Sequence, residues 1–371
     1  MEKLSLSQNL LATPLHVAGK PIEEVQKEYG LETVIKLASN ENPLGPSPLA
    51  VQAVGEAMSD AHRYPGPPEV KLRGKLAERM GPDFDEDNII IGNGSCDILR
   101  MLCLGFLHDG GESIVCTSTF PMYRIYTQMF GGKLVMVEAK DYAYDLPAMA
   151  ERISDDTRLI FIANPNNPSG TVLTQREVDD FMEQVPDHVV VVFDDAYYDY
   201  VESSDYADGR KYIRQGRNVI ITRTFSKIYG LAGLRVGYGV AKKEMIEYLL
   251  HARSPFHVSS VNVIGALASL DDEEHVQRSR AINALGKRYL YKQFDRLDLS
   301  YMPTECNFIL LPELKHGEQT MYEALLRRGV ISRPSGPFGA PGAVRVTIGT
   351  EEENERFAWA LEQALHELGE G

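Results

Sequence analysis

From about Val51 to Val240 the chain alternates between amphipathic stretches of helical period and short apolar runs. The runs predict strands at Asn88–Ile91, Ser113–Thr117, Lys133–Val137, Leu159–Ala163, His188–Phe193, Val219–Thr222 and Leu234–Val240. Two of them, Leu159–Ala163 and Val189–Phe193, are apolar throughout rather than alternating, which marks strands covered on both faces in a mostly parallel sheet. Amphipathic helices fit between the runs, among them Cys96–Leu107, Gln175–Gln184 and Lys243–Arg253.

After His257 the pattern changes. A long helical stretch from about Val261 to Phe294 leads to an apolar run at Cys306–Leu311 and a helix around Gln319–Arg328. Strands near Val330–Arg333 and Ala343–Ile348 follow, and a helix from Glu351 closes the chain. Ser335–Gly342 is too rich in Gly and Pro for a regular element and reads as a loop. The expected class is α/β: a large domain at 46–256 with a mostly parallel seven-stranded sheet between helices, and a smaller α+β domain at 257–371. Residues 1–45 form an N-terminal arm.

Composition narrows the partners. The chain has 371 residues, 43% hydrophobic and 25% charged, which suits a soluble globular protein. Its formal charge of -15 disfavours nonspecific binding to nucleic acid or anionic membrane, so an anionic ligand needs a local pocket of cations. The four cysteines form no C-x-x-C pair and no zinc spacing, so free thiols in a reducing compartment and no metal are expected. Residues 1–20 lack the continuous apolar stretch of a signal peptide, and no apolar run is long enough to cross a bilayer; the cytoplasm is the expected location.

In an open α/β sheet, ligands gather beyond the carboxyl ends of the strands. Asn164-Pro-Asn-Asn-Pro-Ser-Gly170 follows the first fully apolar run, and Asp194-Asp-Ala-Tyr197 ends the second. Arg223-Thr-Phe-Ser-Lys227 follows Val219–Thr222, and Arg235 stands eight residues past the lysine. Each piece has an ordinary reading as turn, cap or surface residue. Three successive strand ends carrying amides, a carboxylate with a tyrosine, and a lysine with hydroxyl neighbours are harder to explain that way.

This series resembles the fold-type-I pyridoxal-phosphate enzymes of the class I and II aminotransferase group. Further stretches resemble the histidinol-phosphate aminotransferases within it: Leu37–Pro48, Arg63-Tyr-Pro65, Gly92–Ser95, Val330–Pro334 and Val344–Thr350. The resemblance implies that Lys227 condenses with the cofactor aldehyde and, once displaced, moves the substrate proton. It implies that Asp194, rather than Asp195, keeps the pyridine nitrogen protonated. Asn167 and Tyr197 then face the phenolic oxygen and Phe120 stacks on the ring. Ser95, Cys96, Thr224, Ser226 and Arg235 would hold the phosphate, the first two at a helix N-terminus. Tyr64 would reach the cofactor of a partner subunit in a homodimer.

For the substrate the resemblance implies Arg345 and Arg333 as anion-binding groups, with Asn42 and the N-terminal arm, including His16, closing over it as a lid. Three positions depart from the family pattern. His16 stands in place of an arm tyrosine, His257 in place of an asparagine, and Cys96 in place of an acidic residue. The expected reaction is amino exchange between histidinol phosphate and 2-oxoglutarate by a ping-pong route. An aromatic amino acid aminotransferase is the nearest alternative, and a phospho-amino-acid decarboxylase a remoter one. A nicotinamide-dependent oxidoreductase lacks support, because Gly92-Asn-Gly94 has no third glycine at the dinucleotide spacing. A noncatalytic binding protein would have little use for Lys227, Asp194 and Arg235 together.

Overall fold

The computed structural model describes residues 6–14 and 19–369. Its strands, in chain order, are β1 (Ile35–Lys36), β2 (Ile89–Gly92), β3 (Glu112–Cys116), β4 (Lys133–Val137), β5 (Thr157–Ala163), β6 (Val190–Asp194), β7 (Val219–Thr224) and β8 (Gly237–Ala241). The later ones are β9 (Phe308–Leu311), β10 (Val330–Ile331), β11 (Arg333–Pro334) and β12 (Val344–Thr347). A seven-stranded sheet runs β2-β8-β7-β6-β5-β3-β4. Neighbours from β7 to β4 pair in parallel, whereas β8 is antiparallel to both β2 and β7.

The uniformly apolar runs occupy the middle of this sheet, where every residue of β6 and β7 is buried. Removing water from each such Val or Ile contributes about 1.5–3 kcal/mol, which favours the central strand positions over the exposed edge. The edge strand β4 carries the more polar Lys133-Leu-Val-Met-Val137. The helix Ser95–Phe106 buries Ile98, Leu99, Met101 and Leu102 and packs against β8.

A second, smaller assembly pairs β11-β12-β9 antiparallel, and β1 with β10 in parallel. The long helical stretch is two helices rather than one. Ser260–Ser269 ends in a turn, and the Asp272 carboxylate caps Glu273–Arg296 by accepting the His275 amide. Asp272 also accepts from the Ser47 hydroxyl at 2.6 Å, anchoring the start of the helix Pro48–Ala57. The strand expected at Val330–Arg333 is likewise divided: its first half pairs with β1 and its second with β12. The Ser335–Gly342 loop contains one tight turn of helix at Gly336–Phe338.

The larger hydrophobic core draws its residues from Ala50 to Val276, past position 257, because Ser260–Ser269 packs against Pro48–Ala57 and Pro67–Met80. The second core joins Leu37 to residues between Leu290 and Leu365. The helix Glu273–Arg296 therefore carries Val276 in one core and Leu290 and Phe294 in the other. Among the described residues no helix is long and apolar enough to cross a membrane.

Candidate active site

Because β2 to β7 share one direction, the loops after β2, β3, β5, β6 and β7 leave the sheet at a common edge. Strand β8 runs the other way, so the residues before it reach that edge, and Arg235 is among them. These loops line a cleft of about 330 Å³, closed on the other side by Ala38–Glu41, Arg333, Phe338 and Arg345. The smaller assembly and the N-terminal segment thus complete a site that the large sheet begins.

At the floor of the cleft lies Asp194, the last residue of β6 and buried. Its Oδ2 accepts from the Tyr123 hydroxyl at 2.8 Å and its Oδ1 from Thr222 Oγ1 at 3.1 Å. Burial raises its proton affinity, while the two hydroxyls and the Lys227 ammonium pull the other way. Lys227 lines the same cleft and donates from Nζ to the Ser39 carbonyl at 3.1 Å, with its charge 5.5 Å from the Tyr197 ring centre. Desolvation, then the nearby Arg345 cation, lower this lysine to about 8. Tyr197 is buried and accepts from Asn40 Nδ2 at 2.8 Å.

Neighbouring Asp195 turns away from the cleft. It forms a buried ion pair with Arg223 at 3.2 Å and accepts from the Tyr206 hydroxyl at 2.9 Å. Phe120 lines the cleft edge-on to Tyr123, with ring centres 5.6 Å apart.

The other end of the cleft is a built anion cradle. Gly94, at φ 79°, caps the helix Ser95–Phe106 without a side chain, so the amide N–H groups of the first turn face the opening. A Cβ on Gly94 would collide with the Arg235 guanidinium, and one on Gly237 with the Ser95 amide. Both glycines are needed for backbone and cation to come this close. Arg235 Nη1 donates to Ser226 Oγ at 3.3 Å, and Thr224 Oγ1 donates to the same hydroxyl at 2.9 Å. Cys96 shares this wall; burial, then the charge of Asp194, push its thiol up to about 11, so it is no thiolate at neutral pH.

Arg345 and Arg333 stand directly opposite each other on the antiparallel pair β11 and β12, and both line the cleft. Arg345 is buried, donates to Asn167 Oδ1 and to the Ala38 carbonyl (the latter at 2.8 Å), and lies over the rings of Phe308 and Phe338. Its Nε is buried without a protein partner. Burial, reinforced by Arg333, lowers its pKa to about 10, and burial lowers Arg333 as well. Two desolvated cations side by side favour an anion between them.

The structure does not bring every expected residue to the cleft. Asn42 is buried elsewhere: its Nδ2 donates to the Ile228 carbonyl at 2.7 Å and to Ser279 Oγ at 2.8 Å, fastening the arm in place. Asn40, two residues earlier, lines the cleft instead. His257 also lies outside the cleft lining, with Nε2 2.6 Å from the Ile91 carbonyl. Tyr64 is 80% exposed, stacks on Phe256 at 4.6 Å and does not line the cleft of its own chain. His16 lies outside the described residues.

Tyr123, Thr222 and Asn40 were not singled out in the sequence. Tyr123, three residues after Phe120, lies in the first turn of the helix Met122–Met129 and reads as an ordinary core aromatic, and Thr222 sits inside an apolar strand. Asn40 was visible only as the first amide of Asn40-Glu-Asn42.

The family model for aminotransferase class I and II matches residues 32–361. The chain belongs to the class I and II aminotransferases. Among relatives of this aminotransferase, the histidinol-phosphate aminotransferase of Moorella thermoacetica is 48% identical over 357 residues, covering 96% of this chain and 92% of that one. That of Symbiobacterium thermophilum is 44% identical, covering 95% and 96%. A crystal structure of histidinol-phosphate aminotransferase from Sinorhizobium meliloti in complex with pyridoxal-5'-phosphate superposes with a TM-score of 0.88. At 24% identity, and covering 99% of each chain, it shows a shared fold. The aspartate aminotransferase of Thermus thermophilus with maleate has the same fold, with a TM-score of 0.83 at 22% identity over 97% of this aminotransferase and 100% of the other.

Proposed function

We propose that this aminotransferase binds pyridoxal 5'-phosphate through Lys227 and exchanges the amino group of histidinol phosphate with 2-oxoglutarate, as a cytoplasmic homodimer. The residues present fit the cofactor. A cradle that a single Cβ at Gly94 or Gly237 would fill suits its phosphate, and a buried carboxylate at Asp194 suits its ring nitrogen. The bound cofactor supplies an electron sink for the charge that develops when a proton leaves the amine-bearing carbon.

The chain's own groups do the rest. Lys227 Nζ, with a pKa of about 8, is partly unprotonated near neutral pH and can take that proton and return it to the carbon on the far side of the amine nitrogen. The Tyr123 and Thr222 hydroxyls favour the ionised form of Asp194 against the effect of burial, and that carboxylate favours a positive charge facing it. Asn167 and Tyr197 offer donors at the rim of the same surface, and Phe120 offers an apolar face. Arg345 and Arg333 hold the anionic end of whichever substrate is bound, which orients its amine toward Lys227. In this reading the smaller domain begins within the helix Glu273–Arg296, which has a foot in each core.

The observation that carries the substrate assignment is the Arg333–Arg345 pair, supported by relatives up to 48% identical that are named for histidinol phosphate. Two arginines suit a phosphate dianion, which has more acceptor oxygens than a carboxylate. The test is kcat/KM for histidinol phosphate against phenylalanine and tyrosine, with 2-oxoglutarate as acceptor. Histidinol phosphate is expected to lead by about 10- to 100-fold, the gain from the one further charge-assisted contact that a phosphate dianion makes over a carboxylate. A lead for the aromatic amino acids would overturn the substrate assignment while leaving the transaminase standing.

A further inference from the structure

Behind the wall that carries Asp194 lies a buried polar junction that the reaction does not itself use. Asp195 follows Asp194 at the end of β6, and its Oδ2 pairs with Arg223 at 3.2 Å near the end of β7. Both partners are less than a tenth exposed, and the Arg223 guanidinium lies 3.6 Å from the centre of the Tyr198 ring. On the other side, the Tyr206 hydroxyl reaches two acceptors: Asp195 Oδ1 at 2.9 Å and the carbonyl of Asn164, just beyond β5. One carboxylate therefore joins the ends of three adjacent strands.

Those strand ends are the ones that deliver Asn167, then Asp194 and Tyr197, then Ser226 and Lys227 to the cleft. Parallel strands are held in register by their ladders only up to the last paired residue; beyond it each loop is free to settle separately. A buried ion pair contributes little net stability, because desolvating the charges offsets their attraction, but its geometry is sharply defined. Its value here is relative placement.

We propose that Asp195, Arg223 and Tyr206 form a positioning clamp that fixes the lysine, carboxylate and amide of the cleft relative to one another, without touching substrate or cofactor. The inference rests on the reading of Lys227 as the cofactor lysine. The wild-type protein with its cofactor is examined first: a visible absorbance band, and a borohydride-fixed adduct on Lys227, must be present for the variants to be informative. Absence of either sinks that reading and not the clamp.

Tyr206→Phe and Asp195→Asn are then compared with wild type, well below their melting temperatures. Three readouts are kcat and KM separately, cofactor dissociation, and the pH midpoint of the visible band. The clamp predicts that Asp195→Asn lowers kcat about 10- to 100-fold with KM nearly unchanged, since a small misplacement of reacting groups costs that much. It also predicts a displaced pH midpoint and faster cofactor loss. Tyr206→Phe shifts the same three quantities less, and Asp195→Glu, which keeps the charge, recovers part of the rate. A lower melting temperature with unchanged kcat and pH midpoint would show that the junction is only structural. Should Asp195→Asn fail to fold, Tyr206→Phe decides: unchanged kcat and midpoint overturn the proposal.

Discussion

The hydroxyl of Tyr123 stands 2.8 Å from Asp194 Oδ2, and the ring that carries it is wholly buried, stacked on Phe161 with centres 4.9 Å apart. The phenol has no room to turn elsewhere, and burial makes it a donor rather than an anion, since its pKa is raised well above the usual value. Asp194 thus gains a fixed donor that favours its ionised form. Tyr123→Phe removes that donor and leaves the packing almost unchanged. A hydrogen bond to a charged group is worth about 1.5–3 kcal/mol, so cofactor affinity is expected to fall by about 10- to 100-fold. Fluorescence titration of cofactor-free protein with pyridoxal phosphate measures it, and equal affinities would show that Thr222 suffices alone.

The Lys227 amine sets a pH dependence that can be isolated. In the cofactor-free protein its pKa is about 8, below the ordinary 10.5, mainly because burial penalises the ammonium. Between these values the unfolded chain binds more protons than the folded one, so stability rises with pH across the interval from about 8 to 10.5. Below it both states carry the charge, and the folded one bears the full cost. Lys227→Met removes the titration. The variant is expected to be more stable than wild type at pH 7, with the difference shrinking toward pH 10. Melting curves of both cofactor-free proteins across that range give the comparison, and a constant difference would place the lysine pKa outside it.

How far the sequence anticipates this site depends on whether a residue's role is local. Lys227, Asp194 and Asn167 were legible because each follows a continuous apolar run, and strand ends in a parallel sheet converge. Arg235 was visible by its distance from the lysine, but its role only through resemblance: the strand expected at Leu234–Val240 begins at Gly237, and the antiparallel sense of β8 that brings Arg235 to the cleft leaves no mark in the hydrophobic pattern. Tyr123 and Asn40 act through partners 71 and 157 residues away, a relationship that no window on the chain can contain. Likewise, the split of Val330–Arg333 reflects two different pairing partners rather than any local breaker. The break at Asp272 had a signal, an Asp followed by Glu273-Glu274, which helical periodicity on both sides concealed.

Gly237 offers a test of the anion cradle that leaves every polar group in place. An added Cβ there meets the Ser95 amide, which is backbone and cannot step aside as a side chain would. Gly237→Ala should therefore push the first turn of Ser95–Phe106 away from Arg235 and weaken the phosphate site. The expected loss is about 10-fold or more in affinity for pyridoxal phosphate, with a much smaller loss for pyridoxal, which lacks the phosphate. Equal losses for the two ligands would argue against a phosphate at this end of the cleft.

Arg333 separates substrates rather than chemistry. It lies across the strand pair from Arg345 but outside the floor of the cleft. Arg333→Gln is expected to raise KM for histidinol phosphate by about 10- to 100-fold, one charge-assisted contact, while kcat changes little. Half-reactions followed by absorbance, with histidinol phosphate and with glutamate in turn, separate the two anions. A larger effect on glutamate would reassign this arginine to the carboxylate.

The stack of Tyr64 on Phe256 leaves both residues more than half exposed, and Val51, Met58 and Val70 are exposed as well. Tyr64 does not line the cleft of its own chain, and under the proposed homodimer with shared sites it would serve the partner subunit's cofactor. Lys227→Ala and Tyr64→Ala, each of low activity alone, provide the check. Mixed after gentle dissociation and reassociated, half of the dimers are hybrids, and each hybrid has one cleft with an intact lysine and an intact tyrosine. Activity should then rise to about a quarter of that of wild type. A mixture no more active than the mean of its components would mean that each chain completes its own site, and that the exposed ring has another use.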